Sequence, residues 1–164
     1  MKKTLIVYVS KTGTTRKCTE LLKEYFPRAE YVDLAQQMPE PDSYDLILCG
    51  SGIRMGMIHK KLRQWITKNQ SVLKEKAHAF FICNGNQAQT ETVLVQNFGK
   101  ELLETSICAT SFGGITDYQA FRGMDRFIMK MITNQSKGGK LPEGKILTEN
   151  IKAFAKTVKE HFSE

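Results

Sequence analysis

The chain has 164 residues, 41% hydrophobic and 25% charged, which suits one globular domain with a real core and excludes a disordered chain. Its 24 Lys and Arg against 17 Asp and Glu leave a net charge of +7, compatible with nucleic acid, an anionic membrane surface, or an acidic ligand or partner. Charge alone does not choose among these, but there is no basic block or nucleic-acid motif, and no nucleic acid is expected. No apolar run approaches the roughly 20 residues that span a bilayer. Met1-Lys2-Lys3 before LIVYV fails as a signal peptide: the apolar part is short, Lys11 follows it, and no small-residue cleavage site is present. A cytoplasmic protein is expected.

In chain order, residues 4–9 read as a buried strand, and Cys18, Leu21, Leu22, Tyr25 and Phe26 then recur at helical spacing up to Pro27. Residues 30–34 read as a short strand and 38–45 as a polar turn containing Pro39 and Pro41. A second buried strand, 46–49, runs into Gly50-Ser51-Gly52, and Ile58, Leu62, Trp65 and Ile66 form the next helical stripe. The strand 78–83 is followed by Asn84-Gly85-Asn86, a helix over 90–103, and a strand over 107–112 that ends at Gly113-Gly114. Ala120, Phe121, Met124, Phe127, Ile128, Met131 and Ile132 make one wide helical face. The polar stretch 135–144 separates it from a last helix carrying Ile151, Phe154, Ala155, Val158 and Phe162.

Cysteines stand at 18, 49, 83 and 108 with no C-x-x-C pair, so zinc-finger and thioredoxin-like readings fail on spacing. Cys49, Cys83 and Cys108 lie in apolar runs and read as small buried hydrophobes. Cys49 and Arg54 enclose four residues, one short of the tyrosine-phosphatase loop.

Unbroken apolar strands alternating with amphipathic helices predict an α/β fold: a doubly wound, five-stranded parallel sheet with helices on both faces, in one domain over 1–164. The natural strand order for this length is 2-1-3-4-5, with ligands beyond the carboxyl ends of the strands where the order reverses. That topology brings 10–15, 50–56 and 84–87 together, all rich in Gly, Ser, Thr or Asn.

The first of these suits a phosphate. A helix N-terminus offers unpaired N–H groups and partial positive charge, hydroxyls add donors, and Gly13 permits close approach. It is neither a Walker A loop nor G-x-G-x-x-G, so a bound, untransferred phosphate fits better than nucleotide hydrolysis. The alternative is a helix cap with spare threonines.

Ser-Lys-Thr-Gly-Thr-Thr, residues 10–15, resembles the phosphate loop of the flavodoxins, which holds the phosphate of FMN. The resemblance implies that Ser10, Lys11, Thr12, Gly13, Thr14 and Thr15 hold that phosphate. It implies also that Ser51, Gly52, Ile53, Arg54, Met55 and Gly56, with Asn84, Gly85 and Asn86, surround the flavin ring. Electron-carrying flavodoxins are typically acidic and stack aromatic residues on the flavin. This chain is basic, and Arg54 and Met55 stand where an aromatic is expected.

Other segments resemble the bacterial flavodoxin-type protoporphyrinogen oxidases, quinone-linked enzymes of haem biosynthesis that use FMN at the cytoplasmic membrane face. Ile53-Arg54-x-Gly56-x-x-His59 matches their second loop, Asn84 their asparagine after the fourth strand, and Tyr118, Arg122 and Asp125–Lys130 their later Y…R…DRFxxK segment. Met55 replaces a tyrosine, and the basic aromatic stretch before Asp125 is thinner.

The resemblance implies an FMN-dependent oxidoreductase taking electrons from a small substrate, protoporphyrinogen IX among the candidates, to a quinone. Arg54 would steady charge on the reduced ring or meet a substrate carboxylate, and otherwise is a solvated loop residue. His59 would relay a proton, and otherwise is structural. Arg122, Arg126 and Lys130 would touch anionic lipid at the inner membrane face. The other classes are an electron-transfer flavodoxin with an acidic redox partner, and a flavodoxin-fold protein that binds no flavin.

Overall fold

Apolar residues on both sides of the central strands build a sheet with two buried faces. A computed structural model of the chain describes residues 1–10, 13–114 and 145–162. Its strands are β1 (Thr4–Val9), β2 (Glu30–Asp33), β3 (Leu46–Arg54), β4 (Met57–Ile58), β5 (Ala77–Cys83) and β6 (Ala109–Ser111). The spatial order is β2-β1-β3-β5-β6, every neighbouring pair parallel, while β4 folds back antiparallel on β3. Leaving β4 aside, this is the expected 2-1-3-4-5 order. The helices are α1 (Thr14–Leu22), α2 (Lys60–Lys68), α3 (Gln70–Glu75), α4 (Thr90–Phe98), α5 (Lys100–Thr105) and α6 (Thr148–His161).

The period of two sorts side chains between two cores. Leu5, Val7, Ile47, Cys49, Phe80 and Ile82 pack with Leu62, Trp65, Leu73, Leu94, Phe98 and Leu102 from α2 to α5. Ile6, Leu46, Leu48, Ala79, Phe81 and Cys83 pack on the other face with Cys18 and Leu22 of α1 and with Ile151, Phe154 and Val158 of α6. Phe80 stacks on Phe98 at 4.3 Å between ring centroids, and Phe81 on Phe112 at 4.6 Å. The Trp65 indole N–H donates to the Pro39 carbonyl at 2.8 Å, tying the proline turn to α2.

Several boundaries differ from those expected. The strand 46–49 continues to Arg54 and turns back, so Ile58 belongs to β4 and α2 begins only at Lys60. The helix expected over 90–103 is two helices, because Gly99 at φ +79° ends α4 in a conformation glycine adopts without strain. Tyr25 and Phe26 lie beyond α1, which stops at Leu22. The helical face from Ala120 to Ile132 and the polar stretch 135–144 fall outside the described residues. Among the described residues no helix is long and apolar enough to cross a membrane.

Candidate functional site

Because β1, β3, β5 and β6 are parallel, the segments that follow them emerge along one edge of the sheet. From β1 the chain crosses to β2 on one side, and from β3 it proceeds to β5 and β6 on the other, so the order reverses between β1 and β3. A Cβ on Gly52 would stand 3.4 Å from Thr15 Oγ1, and one on Gly114 would stand 3.2 Å from Asn84 and Gly85 backbone. The first segment therefore touches the second, and the third touches the fourth.

At the first segment, Gly13 at φ +91° is the residue before α1 and has no side chain with which to cap it. Ser10 does so instead: its Oγ accepts from Gly13 N at 3.1 Å and from Arg16 N at 3.2 Å. Two backbone donors thus converge on one oxygen at a helix N-terminus, with no acidic residue in the first turn. A phosphate oxygen can take the same donors, so the residues fit a phosphate-bearing group. Thr14 is half-buried, whereas Thr15 is only 2% exposed. Arg16 is drawn aside into a 3.1 Å ion pair with Asp33 at the end of β2. Lys11 and Thr12 lie outside the described residues.

The second segment is the tight β3–β4 hairpin. Met55 at φ +54° and Gly56 at φ +76° are its two central residues, the positive-φ pair of a two-residue hairpin loop. Met55 is 58% exposed at the tip beside exposed Arg54. Asn97 of α4 clamps this hairpin: its Nδ2 donates to Gly56 O at 2.9 Å and its Oδ1 accepts from Ile58 N at 2.9 Å. Sequence reading missed Asn97; the available signal was a polar residue of poor helix propensity inside an amphipathic helix.

Ser51 and His59 are held by local bonds. The buried Ser51 Oγ donates to Gly52 O at 2.7 Å and accepts from His59 N at 3.0 Å. His59 precedes α2, and its Nδ1 accepts from Lys61 N at 3.1 Å, which makes it the N-cap rather than a first-turn residue. This bond requires an unprotonated Nδ1. His59→Ala is expected to cost about 1 kcal/mol through loss of the cap, read as a lower urea midpoint at unchanged slope.

The third segment, 84–89, includes a single 3₁₀ turn at Gln87–Gln89. Asn84 is buried, and its side chain holds the segment internally. Nδ2 donates to Asn86 O at 2.8 Å, while Oδ1 accepts a short bond from the Ser111 hydroxyl. Ser111 Oγ in turn accepts from Gly113 N at 3.0 Å, and Asn150 Nδ2 of α6 donates to Ser111 O at 2.9 Å. Ser111 and Asn150 were likewise not singled out by sequence. Gly85 and Asn86 are exposed at the rim. Thr90 Oγ1, where α4 begins behind them, is the one buried side-chain oxygen or nitrogen without a hydrogen-bond partner among the described residues.

The fourth segment closes on itself. Leu147 N donates to Phe112 O at 2.8 Å, Gly114 N donates to Lys145 O at 3.2 Å, and Gly113 bridges Ile146. A separate open cavity of about 380 Å³, lined in part by Tyr25, Phe26, Arg28 and Lys159, lies by the amino ends of β1 and β3. That is the wrong end of a doubly wound sheet for its main ligand. Among the described residues no group of His, Cys, Asp and Glu is arranged to hold a metal ion.

This architecture has known counterparts. The chain is 26% identical over 148 residues to protoporphyrinogen IX dehydrogenase [quinone] of Escherichia coli K12, covering 83% of this chain and 81% of that one. Oxidised flavodoxin 1 of Bacillus cereus superposes with a TM-score of 0.61 at 16% identity, over 99% of this chain and 100% of that one. A flavoprotein of Lactobacillus acidophilus in complex with FMN gives 0.52 at 20% identity, over 68% and 93%. The family model for the flavodoxin domain matches residues 5–142, most of the chain including the first three of these segments, and the protein belongs to that family.

Proposed function

We propose that the chain binds FMN along this edge and acts as an oxidoreductase, passing electrons from a small substrate to a quinone. The observation that carries the reading is the convergence of the Gly13 and Arg16 N–H groups on one oxygen at the sheet's reversal point. FMN, when bound, supplies the redox chemistry. The protein's part is to hold and orient it.

Ser10, Thr12, Thr14 and Thr15, with Lys11 and Gly13, cradle the phosphate. The β3–β4 hairpin from Ser51 to Gly56 lines one side of the ring and Asn84, Gly85 and Asn86 the other. Exposed Met55, fixed by Asn97, presents an apolar surface to the flavin where other members use an aromatic. Arg54, next to it, meets a carboxylate of the substrate bidentately. His59 contributes by fixing α2 through its Nδ1 cap bond and the hairpin through its N–H to Ser51.

Protoporphyrinogen IX is the substrate we favour, supported by the name of the Escherichia coli relative and by the retained Ile53-Arg54-x-Gly56-x-x-His59 pattern. Arg122, Arg126 and Lys130, outside the described residues, are the proposed contact with the anionic inner membrane face. The basic net charge also favours a second reading, an electron carrier with an acidic protein partner.

The test is anaerobic turnover of FMN-loaded protein with protoporphyrinogen IX and a soluble menaquinone analogue. Substrate-dependent quinone reduction, lowered at least tenfold in kcat/KM by Arg54→Ala, is expected; that factor is about 1.4 kcal/mol of transition-state binding. Bound FMN without turnover would leave the electron-carrier reading in its place. Protein that stays colourless, with an unchanged melting temperature in FMN, would remove both.

A further inference from the structure

We propose that Cys18 and Cys83 are a peroxide-oxidisable dithiol, forming a disulfide that ties α1 to the end of β5 beneath the Gly13 turn. Their sulfurs are 3.7 Å apart, with the Cys83 thiol donating to Cys18. Both side chains belong to the core between the sheet and helices α1 and α6. Cys49 is buried on the opposite face of the sheet. Cys108 accepts from Phe80 N, which places it beside the middle of β5 rather than its end. A disulfide needs a sulfur separation of about 2.05 Å, so the pair must close by less than 2 Å, within reach of small side-chain rotations and a slight shift of α1.

The hydrogen bond divides the labour. Donation from Cys83 lowers the Cys18 pKa, favouring its thiolate, whereas Cys83, its proton engaged in that bond and its sulfur buried, is raised and stays a thiol. The Cys18 thiolate attacks one oxygen of a small hydroperoxide and breaks the O–O bond. This gives the Cys18 sulfenic acid and, after protonation, an alcohol or water. The Cys83 sulfur then attacks the sulfenic sulfur, and its thiol proton leaves with the hydroxyl as water. In sum, two thiols and one hydroperoxide become one disulfide, one alcohol (water for hydrogen peroxide) and one further water.

Thr15 links this chemistry to the edge of the sheet. It lies one turn before Cys18 on α1, and a Cβ on Gly52 would stand 3.4 Å from its hydroxyl. Closing Cys18 onto Cys83 shifts α1, and with it the first turn that carries Thr15. The consequence for FMN rests on the reading above; the disulfide itself does not.

The experiment exposes the native full-length protein to hydrogen peroxide, then alkylates free thiols under denaturing conditions and maps the peptides. Two of the four thiols are expected to become protected, with one linked Cys18–Cys83 peptide and recovery of all four thiols in dithiothreitol. The double variant Cys49→Ser/Cys108→Ser should retain the linkage. Cys18→Ala and Cys83→Ala, each checked for folding by circular dichroism, should abolish it. Four free thiols in oxidised wild-type protein, or linkage through Cys49 or Cys108, overturns the proposal. Titrating both redox forms with FMN should give affinities that differ by about tenfold, roughly one charge-assisted hydrogen bond. Equal affinities overturn the coupling. If neither form takes FMN while the linkage still forms, the cofactor reading fails and the dithiol stands.

Discussion

Gly50→Ala is expected to destabilise the protein by about 3 kcal/mol or more, the upper range for overpacking a core. Gly50 pairs with Phe81 across β3 and β5, and a Cβ there would sit 1.9 Å from the Phe81 ring. The ring cannot swing away cheaply. It is fully buried, stacked on Phe112 at 4.6 Å and met edge-on by Phe154 at 6.0 Å between centroids. Urea unfolding reads the effect as a lower midpoint at unchanged slope. Adding Phe81→Leu to Gly50→Ala should recover part of the loss, because the two positions share one volume and their effects are not additive. A neutral Gly50→Ala would mean that the β3–β5 register is not the one described.

Thr12→Ala combined with Thr15→Ala is expected to weaken FMN about a hundredfold while changing riboflavin affinity only a few-fold. Each hydroxyl that bonds a charged phosphate contributes on the order of 1.5 kcal/mol, and two give about 3 kcal/mol. Riboflavin carries no phosphate, so any general loosening caused by emptying the buried Thr15 position appears in its affinity as well and is divided out. Equal losses for the two ligands would show that the start of α1 is not a phosphate cradle. The backbone donors from Gly13 and Arg16 remain in the double variant, which is why weakened binding is expected rather than none.

Strands β1 and β5 were legible because their apolar runs are short, unbroken and bounded by turn residues. Ile58 was not. It falls at helical spacing from Leu62 and Trp65, and Met55-Gly56 is a weak turn signal because methionine rarely takes positive φ. Nothing local announces that Asn97, 41 positions from Gly56, holds that turn. Likewise a helix over 90–103 is the simplest reading of its apolar residues, and Gly99 marks the break only once its φ is known.

The sequence by itself determined the alternation of strands and helices and the hydroxyl-rich segment at the end of β1. Each of these is written in local periodicity and composition. Only the tertiary structure decided what the polar side chains on that edge do. Ser10 gathers two backbone donors, Ser51 and His59 brace the hairpin and α2, and Asn84 turns inward to Ser111. It also decided that Cys18 and Cys83, 65 positions apart, are a pair. The reason is physical: a buried polar or sulfur group takes whatever partner the fold brings within about 3–4 Å, and that partner is set by strand register and helix placement rather than by its neighbours in the chain.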